Sequence, residues 1–122
     1  MMNYLNSKTE LFGRIGNEPE FHPSSEEVSS RMRLTVATTD DVFKGESDEW
    51  QEALTWHPVI GWGNLAERMN EAREEGRLVK GAKVHLMGQY KNNNYTDSSG
   101  TDHYEMQFHV QHFSVESIPS EN

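Results

Sequence analysis

Residues Leu54 to Glu67 read LTWHPVIGWGNLAE, and the parsing of this stretch decides the architecture of the whole chain. Period-two alternation sets Leu54, Trp56, Pro58, Ile60 and Trp62 on one face of a strand and Thr55, His57 and Val59 on the other. Gly61-Trp62-Gly63 ends the strand. Asn64 then reads as the N-cap of a helix, and Glu67 three residues on completes a capping-box pair. Leu65, Met69 and Ala72 form the helix's apolar stripe, the charged residues from Glu67 to Glu75 its solvated face, and Gly76 its stop.

Working outward from this strand and helix, two strands precede them and two follow. Leu11, Phe12 and Ile15, with Gly13 and Gly16, give a first strand that bends at glycine; EPEFHPSSEE after it reads as a loop. Arg31 to Thr39 (RMRLTVATT) alternates, with Met32, Leu34 and Val36 on the core side. The polar run Asp40 to Glu52, holding Gly45, reads as a long hairpin loop that exposes Val42, Phe43 and Trp50. Lys83 to Lys91 and Asp102 to Val115 are two further strands, joined by the open loop NNNYTDSSGT. Five strands with one helix between the third and fourth is the element order of an all-β, five-stranded OB-fold Greek-key barrel. Residues 1–6 are expected to form an N-terminal arm, 7–116 the barrel, and 117–122 a short frayed end.

Composition bounds what such a barrel can do. The chain has 122 residues, 34% of them hydrophobic, which is one domain with a small core that favours self-association. It has no cysteine, so disulfides and thiolate metal sites are excluded, and a reducing, cytoplasmic setting is expected. No run of residues has membrane-spanning length and apolarity, so no membrane partner is expected. Twenty acidic against eleven basic residues give a net charge of -9, so a polyanionic partner must be held by a local patch. From Asn92 to Asn122 there is no Lys or Arg at all.

Trp56 and Trp62 admit two uses. A tryptophan is more often core than surface. Against that, Pro58 between them cannot donate to a sheet ladder and belongs at an edge or bulge. An aromatic platform for unpaired bases uses the same side chains, since base stacking contributes ~1–3 kcal/mol per base and needs no particular sequence. Tyr95, between NNN and TDSSG, has no core role to explain it.

At these residues the chain resembles the bacterial-type single-stranded DNA-binding proteins. LTWHPVIGWGNLAE is similar to their T-x-W-H-x-V-x-x-x-G-x-L-A-E, GRIGNEPE to G-x-x-G-x-D-P-E, LTVATTD to F-S-L-A-T-x, and YTDSSGTDHYE to W-x-D-x-x-G-x-x-R-Y. The four motifs run in order from about Ser7 to Val115, and together they are specific where each alone is weak. The resemblance implies a homotetramer, with a dimer the alternative, that wraps single-stranded DNA around its outside in replication, repair or recombination, associated with the nucleoid. It places Trp56, Trp62 and Tyr95 at base-stacking positions, Val42-Phe43 where a loop tryptophan is usual, and His57 at a subunit contact; Trp50, exposed by the same polar loop as Phe43, is a further stacking candidate. Phosphate contacts fall to Arg31, Arg33, Lys83 and Lys91. The hairpin before Tyr95 is Lys91-Asn92-Asn93-Asn94 where the family is rich in Arg and Lys, Pro58 stands where Arg is frequent, and Asn64 where Lys is.

Catalysis is not expected. No nucleophile motif, phosphate loop or paired-carboxylate signature is present, so no cofactor and no small-molecule substrate are expected. In His109-Val110-Gln111-His112 strict alternation sends the two imidazoles to opposite faces, which argues against a metal site there. The rival reading is an OB-fold adaptor of the primosomal type that docks on other proteins and binds DNA weakly or not at all.

Overall fold

The computed structural model describes residues 8–44 and 49–119, with side chains described outside 42–50. In chain order the elements are β1 (Thr9–Ile15), β2 (Glu20–His22), β3 (Arg31–Lys44), β4 (Glu49–Trp62), α1 (Gly63–Glu74), β5 (Lys83–Asn92), β6 (Tyr95–Thr96), β7 (Asp102–His103) and β8 (Met106–Ser117). The main sheet runs β1-β5-β8-β4-β3-β2, and an additional β1–β3 pairing closes five of its strands into a barrel. The expected fold class is therefore the observed one. β1 changes partner at its end, where Arg14 pairs with both Lys83 of β5 and Ala37 of β3. Gly13 allows this crossing, because a Cβ there would meet the Ala37 carbonyl and lie 2.8 Å from Val36 Cγ1.

Alternation places Leu11, Ile15, Met32, Leu34, Val36, Val59, Val84, Leu86, Phe108 and Val110 inside the barrel. Helix α1 adds Ala66, Met69 and Ala72 to the same core, with Leu65 partly buried beside them. Gly61 is buried under the helix, where a Cβ would lie 2.7 Å from Met69 Sδ. Gly76, at φ 79, turns the chain after α1.

Several boundaries differ from the sequence reading, each for a physical reason. Asp40 to Glu52 is not a long loop: β3 and β4 pair continuously from Arg31↔Trp62 to Lys44↔Glu49. The arms extend because pairing along a ladder is made by backbone groups and does not require an apolar face. The EPEFHPSSEE segment contains β2, paired Glu20↔Arg33 to His22↔Arg31. The last expected strand is two, β7 and β8, with Tyr104 and Glu105 between them. The helix has no Asn64 cap: Trp62 is its N-cap residue and no side chain caps it. Ser30 instead anchors the corner from across the fold: its carbonyl accepts the first helical N–H, that of Gly63, at 2.8 Å, and its hydroxyl donates to the Gly63 carbonyl at 3.1 Å. The chain end expected to fray from residue 117 holds Ser117 in β8 opposite Lys83, packs Ile118 against the core and sets Pro119 beside Gly81. The N-terminal arm 1–6 lies outside the described residues.

Candidate nucleic-acid interface

β4 carries the outward aromatics as its alternation requires. Trp56 is 53% exposed, Trp62 42% and Leu54 55%, while Val59 turns inward to the core. Ile60 is buried yet lies outside the core cluster, as an outward residue covered by its surroundings would. Beyond β3, β4 pairs only at Val59↔Phe108 and Ile60↔His109, so Pro58 sits where the second ladder begins and its missing N–H costs little. The Trp56 indole lies on Gly16: a Cβ there would be 2.9 Å from Cε3 and 3.1 Å from Cη2, and closer still to Cζ3. The glycine gives the ring a flat backbone seat, leaving its other side to solvent.

Trp62 stands at the corner between β4 and α1, where Gly63 takes φ 61. The two bonds to Ser30 hold this corner, and Arg31, the next residue, is the direct cross-strand partner of Trp62. Six residues of strand separate the two indoles by about 20 Å. No single base spans that distance, so the two rings would serve different nucleotides.

The hairpin between β5 and β8 holds a sheet of its own, β6 with β7, in the register Tyr95↔His103 and Thr96↔Asp102. Tyr95 is 45% exposed and stacks on His103, ring centroids 4.7 Å apart and planes at 9°. Asp97 organises the turn: Oδ1 accepts from Ser99 N–H (2.9 Å), the Ser99 hydroxyl (2.6 Å) and Thr101 N–H (3.0 Å), while Oδ2 faces His103 Nε2 at 2.8 Å. These bonds, that of the Ser99 hydroxyl foremost, hold the carboxyl well below the usual carboxylate range. Tyr104, 77% exposed, and Met106, 51%, extend the apolar surface beyond the sequence reading. Tyr104 lies within the YTDSSGTDHYE motif, which was the available signal.

The cations do not form one cluster. Arg31 and Arg33 lie on the outward side of β3 beside Trp62, while Lys83 and Lys91 mark opposite ends of β5, about 26 Å apart. Lys91 leads into the hairpin. Lys83 belongs to an outward row that crosses four strands by register, Lys83↔Arg14↔Ala37↔Trp56. Arg14 thus joins Lys83 in the row that reaches Trp56, and both line a 380 Å³ groove with Phe12, Thr38, Thr39 and Glu116. Sequence reasoning missed Arg14 because only the crossing of β1 from β5 to β3 brings it there. Phe43 and Trp50 fall opposite each other in the β3–β4 ladder, and their side chains lie outside the described residues.

His57 faces the side of β4 shared with Val59 and is half-buried. Its Nε2 bonds the Thr38 hydroxyl at 2.8 Å and its Nδ1 the Tyr90 hydroxyl at 2.7 Å, a pairing that a neutral ring satisfies with one nitrogen donating and the other accepting. Burial pushes this imidazole below its ordinary pKa, and Asp40 partly opposes the shift. His109 and His112 do not lie on opposite faces, as strict alternation would have them. Met87 pairs with His112 and Gly88 with Val110, so Gln111 is an extra, bulged residue, and both histidines end on the face shared by Met87 and Gln89. Among the described residues no three His, Cys, Asp or Glu side chains gather to hold a metal ion, and no helix is long and apolar enough to cross a membrane.

Fold and surface together define an OB-fold barrel that offers aromatic and cationic side chains on its outside. The chain belongs to the single-strand binding protein family, which it matches over residues 6–116. It is similar in structure to a Plasmodium falciparum SSB in complex with ssDNA, with 16% identity, a TM-score of 0.76, and coverage of 97% of this chain and 98% of that one. A deletion mutant of the single-stranded DNA binding protein from Thermus aquaticus matches at 20% identity and a TM-score of 0.73, covering 91% of this chain and 50% of the other. At these identities the likeness concerns the fold.

Proposed function

We propose that this chain binds single-stranded DNA without sequence preference and without catalysis, protecting it during replication, repair or recombination. Unpaired bases stack on Trp56, Trp62 and Tyr95, and phosphates meet Arg31, Arg33, Lys83 and Lys91, with Arg14 added from the fold. The observation that carries this reading is the half-exposed pair Trp56 and Trp62 on one outward strand face, where burial would have been the ordinary fate of an indole. Family membership and the ssDNA complex of the Plasmodium relative support it. Self-association into a tetramer, with His57 near the contact, belongs to the same proposal.

Titrating intrinsic tryptophan fluorescence with oligo-dT tests it. Strong quenching is expected, and Trp62→Ala should weaken binding by ~1–3 kcal/mol while leaving the fold intact. Equal affinity of variant and parent would show that bases do not stack at this position.

A further inference from the structure

We propose that His103 and Asp97 act as positioning residues for Tyr95, presenting its ring to a base as a preassembled two-ring platform; this rests on the stacking function proposed above. Tyr95 sits on a two-residue strand in a sheet separate from the barrel, so the core does not fix its ring. What fixes it is local. His103 lies opposite in register, and its ring is parallel to that of Tyr95 within 9° at a centroid distance of 4.7 Å. Such stacking alone leaves the imidazole free to rotate away about its side-chain bonds. The 2.8 Å contact from Nε2 to Asp97 Oδ2 removes that freedom.

Asp97 is itself immobilised, because Oδ1 takes three further hydrogen bonds from Ser99 and Thr101 and the Gly100 N–H closes the turn on the Asp97 carbonyl at 3.0 Å. The order runs from the turn backbone to the carboxylate, from the carboxylate to the imidazole, and from the imidazole to one face of Tyr95. The other face, on a side chain 45% exposed, stays open for a base. Both rings line a 240 Å³ cleft with Asn94, Thr96, Asp102 and Tyr104. A ring already held in place loses less conformational freedom when a base arrives, and that difference appears as affinity.

The chain has no lysine or arginine after Lys91, so the hairpin depends on this stacking surface more than on charge. Three acidic side chains, Asp97, Asp102 and Glu105, are close by. Asp97 is occupied by the contacts above, and Asp102 accepts the Thr96 hydroxyl at 2.6 Å.

The experiment is a double-mutant cycle read with two probes, oligo-dT and an abasic sugar-phosphate oligonucleotide of the same length. Tyr95→Ala should weaken oligo-dT binding about tenfold and leave the abasic probe unchanged. His103→Ala should weaken oligo-dT binding about two- to tenfold, again with the abasic probe unaffected, and the double variant should bind no worse than Tyr95→Ala alone. His103→Arg should restore binding, because a planar guanidinium can stack on Tyr95 and pair with Asp97 together. His103→Phe, which keeps a ring and loses the tie, should fall between. Multiplicative effects in the cycle would mean that His103 contacts DNA itself, and equal losses on both probes would mean a phosphate contact or a disturbed fold; either overturns the proposal. If Trp62→Ala weakens binding and Tyr95→Ala does not, the platform idea fails while the wider function survives. If the parent does not bind oligo-dT, both fail.

Discussion

Replacing Gly16 with alanine should uncouple stability from DNA binding. The position carries no positive φ, so alanine fits the backbone, and loss of unfolded-state freedom favours the folded variant by ~0.4–1 kcal/mol. The new methyl group would lie 2.9 Å from Trp56 Cε3, 3.1 Å from Cη2 and inside contact distance of Cζ3. To regain ordinary carbon–carbon separation the indole must lift or swing by about 1 Å or more. The ring is 53% exposed and has room to move, so the core is spared and the unfolding free energy should change by less than about 1 kcal/mol. The platform is not spared. A displaced indole loses part or all of one stacked base, about 1–2 kcal/mol, which is roughly a five- to thirtyfold rise in Kd. Urea unfolding and oligo-dT titration on the same preparation measure the two quantities. The contrast is Gly88→Ala, whose Cβ would meet the backbone carbonyl of His109 and which should unfold the protein instead. A Gly16→Ala protein that binds and quenches like the parent would show that the seat of Trp56 has no part in binding.

Stability should fall on acidification. The unfolded chain takes up a proton near pH ~6.5 that the folded chain resists at His57, and at His109, where burial and Lys91 act in the same direction. Stability is therefore full above that pH and declines as pH drops through it towards the lowered folded values; urea midpoints between pH ~7.5 and ~5 should show this, and His57→Gln should flatten the slope. Binding should depend weakly on salt: five candidate cations, Arg14, Arg31, Arg33, Lys83 and Lys91, cap the log–log slope at about -3.5 for each subunit in contact with the strand, and Arg14→Ala should reduce each subunit's share by ~0.7. A slope much steeper than that would expose phosphate contacts elsewhere. In sedimentation the parent should run as an oligomer, a tetramer by the family resemblance, and His57→Tyr, which crowds Thr38 and Tyr90, should loosen it; a monomer at micromolar concentration would refute this.

How much of this was legible follows from which interactions are local in sequence. The barrel strands showed because Met32, Leu34, Val36 and Val84, Leu86 alternate against a core. The β3–β4 extension did not, because Asp40, Asp41 and Glu52 pair through backbone alone and leave no period in side-chain polarity. The bulge at Gln111 was hidden for a different reason: its cause sits on another strand, where Gly88 lets the chain approach the His109 carbonyl more closely than any Cβ allows. The helix start misled because Asn64 has the right chemistry, yet the corner is held by Ser30, thirty-three residues before Gly63. The same division runs through the site. Trp56, Trp62 and Tyr95 could be picked out individually as aromatics lacking a core role, whereas their supports, Gly16, Ser30 and the Asp97–His103 pair, act through space or around a turn.

That division bears on how so acidic a chain could hold a polyanion. Net charge of -9 acts over the whole surface, but within about 10 Å, the screening length at moderate salt, only neighbours count. By register the outward row Lys83, Arg14, Ala37, Trp56 carries two cations, with Glu116 the acidic side chain in its groove; Arg31 lies opposite Trp62 on β3, and Arg33, two residues on, lies opposite Ile60 with Glu20 on its other side. Of the basic residues, Trp56 therefore has Arg14 two strands away on β1 and Lys83 one strand further on β5, while Trp62 has Arg31 directly opposite on the adjacent strand. Tyr95 has none: after Lys91 the hairpin offers Asp97, Asp102 and Glu105, so a base there would be held against repulsion of its own phosphates. A platform under that handicap gains most from being rigid before DNA arrives, which is the property that the four contacts to Asp97 and the parallel imidazole confer on it.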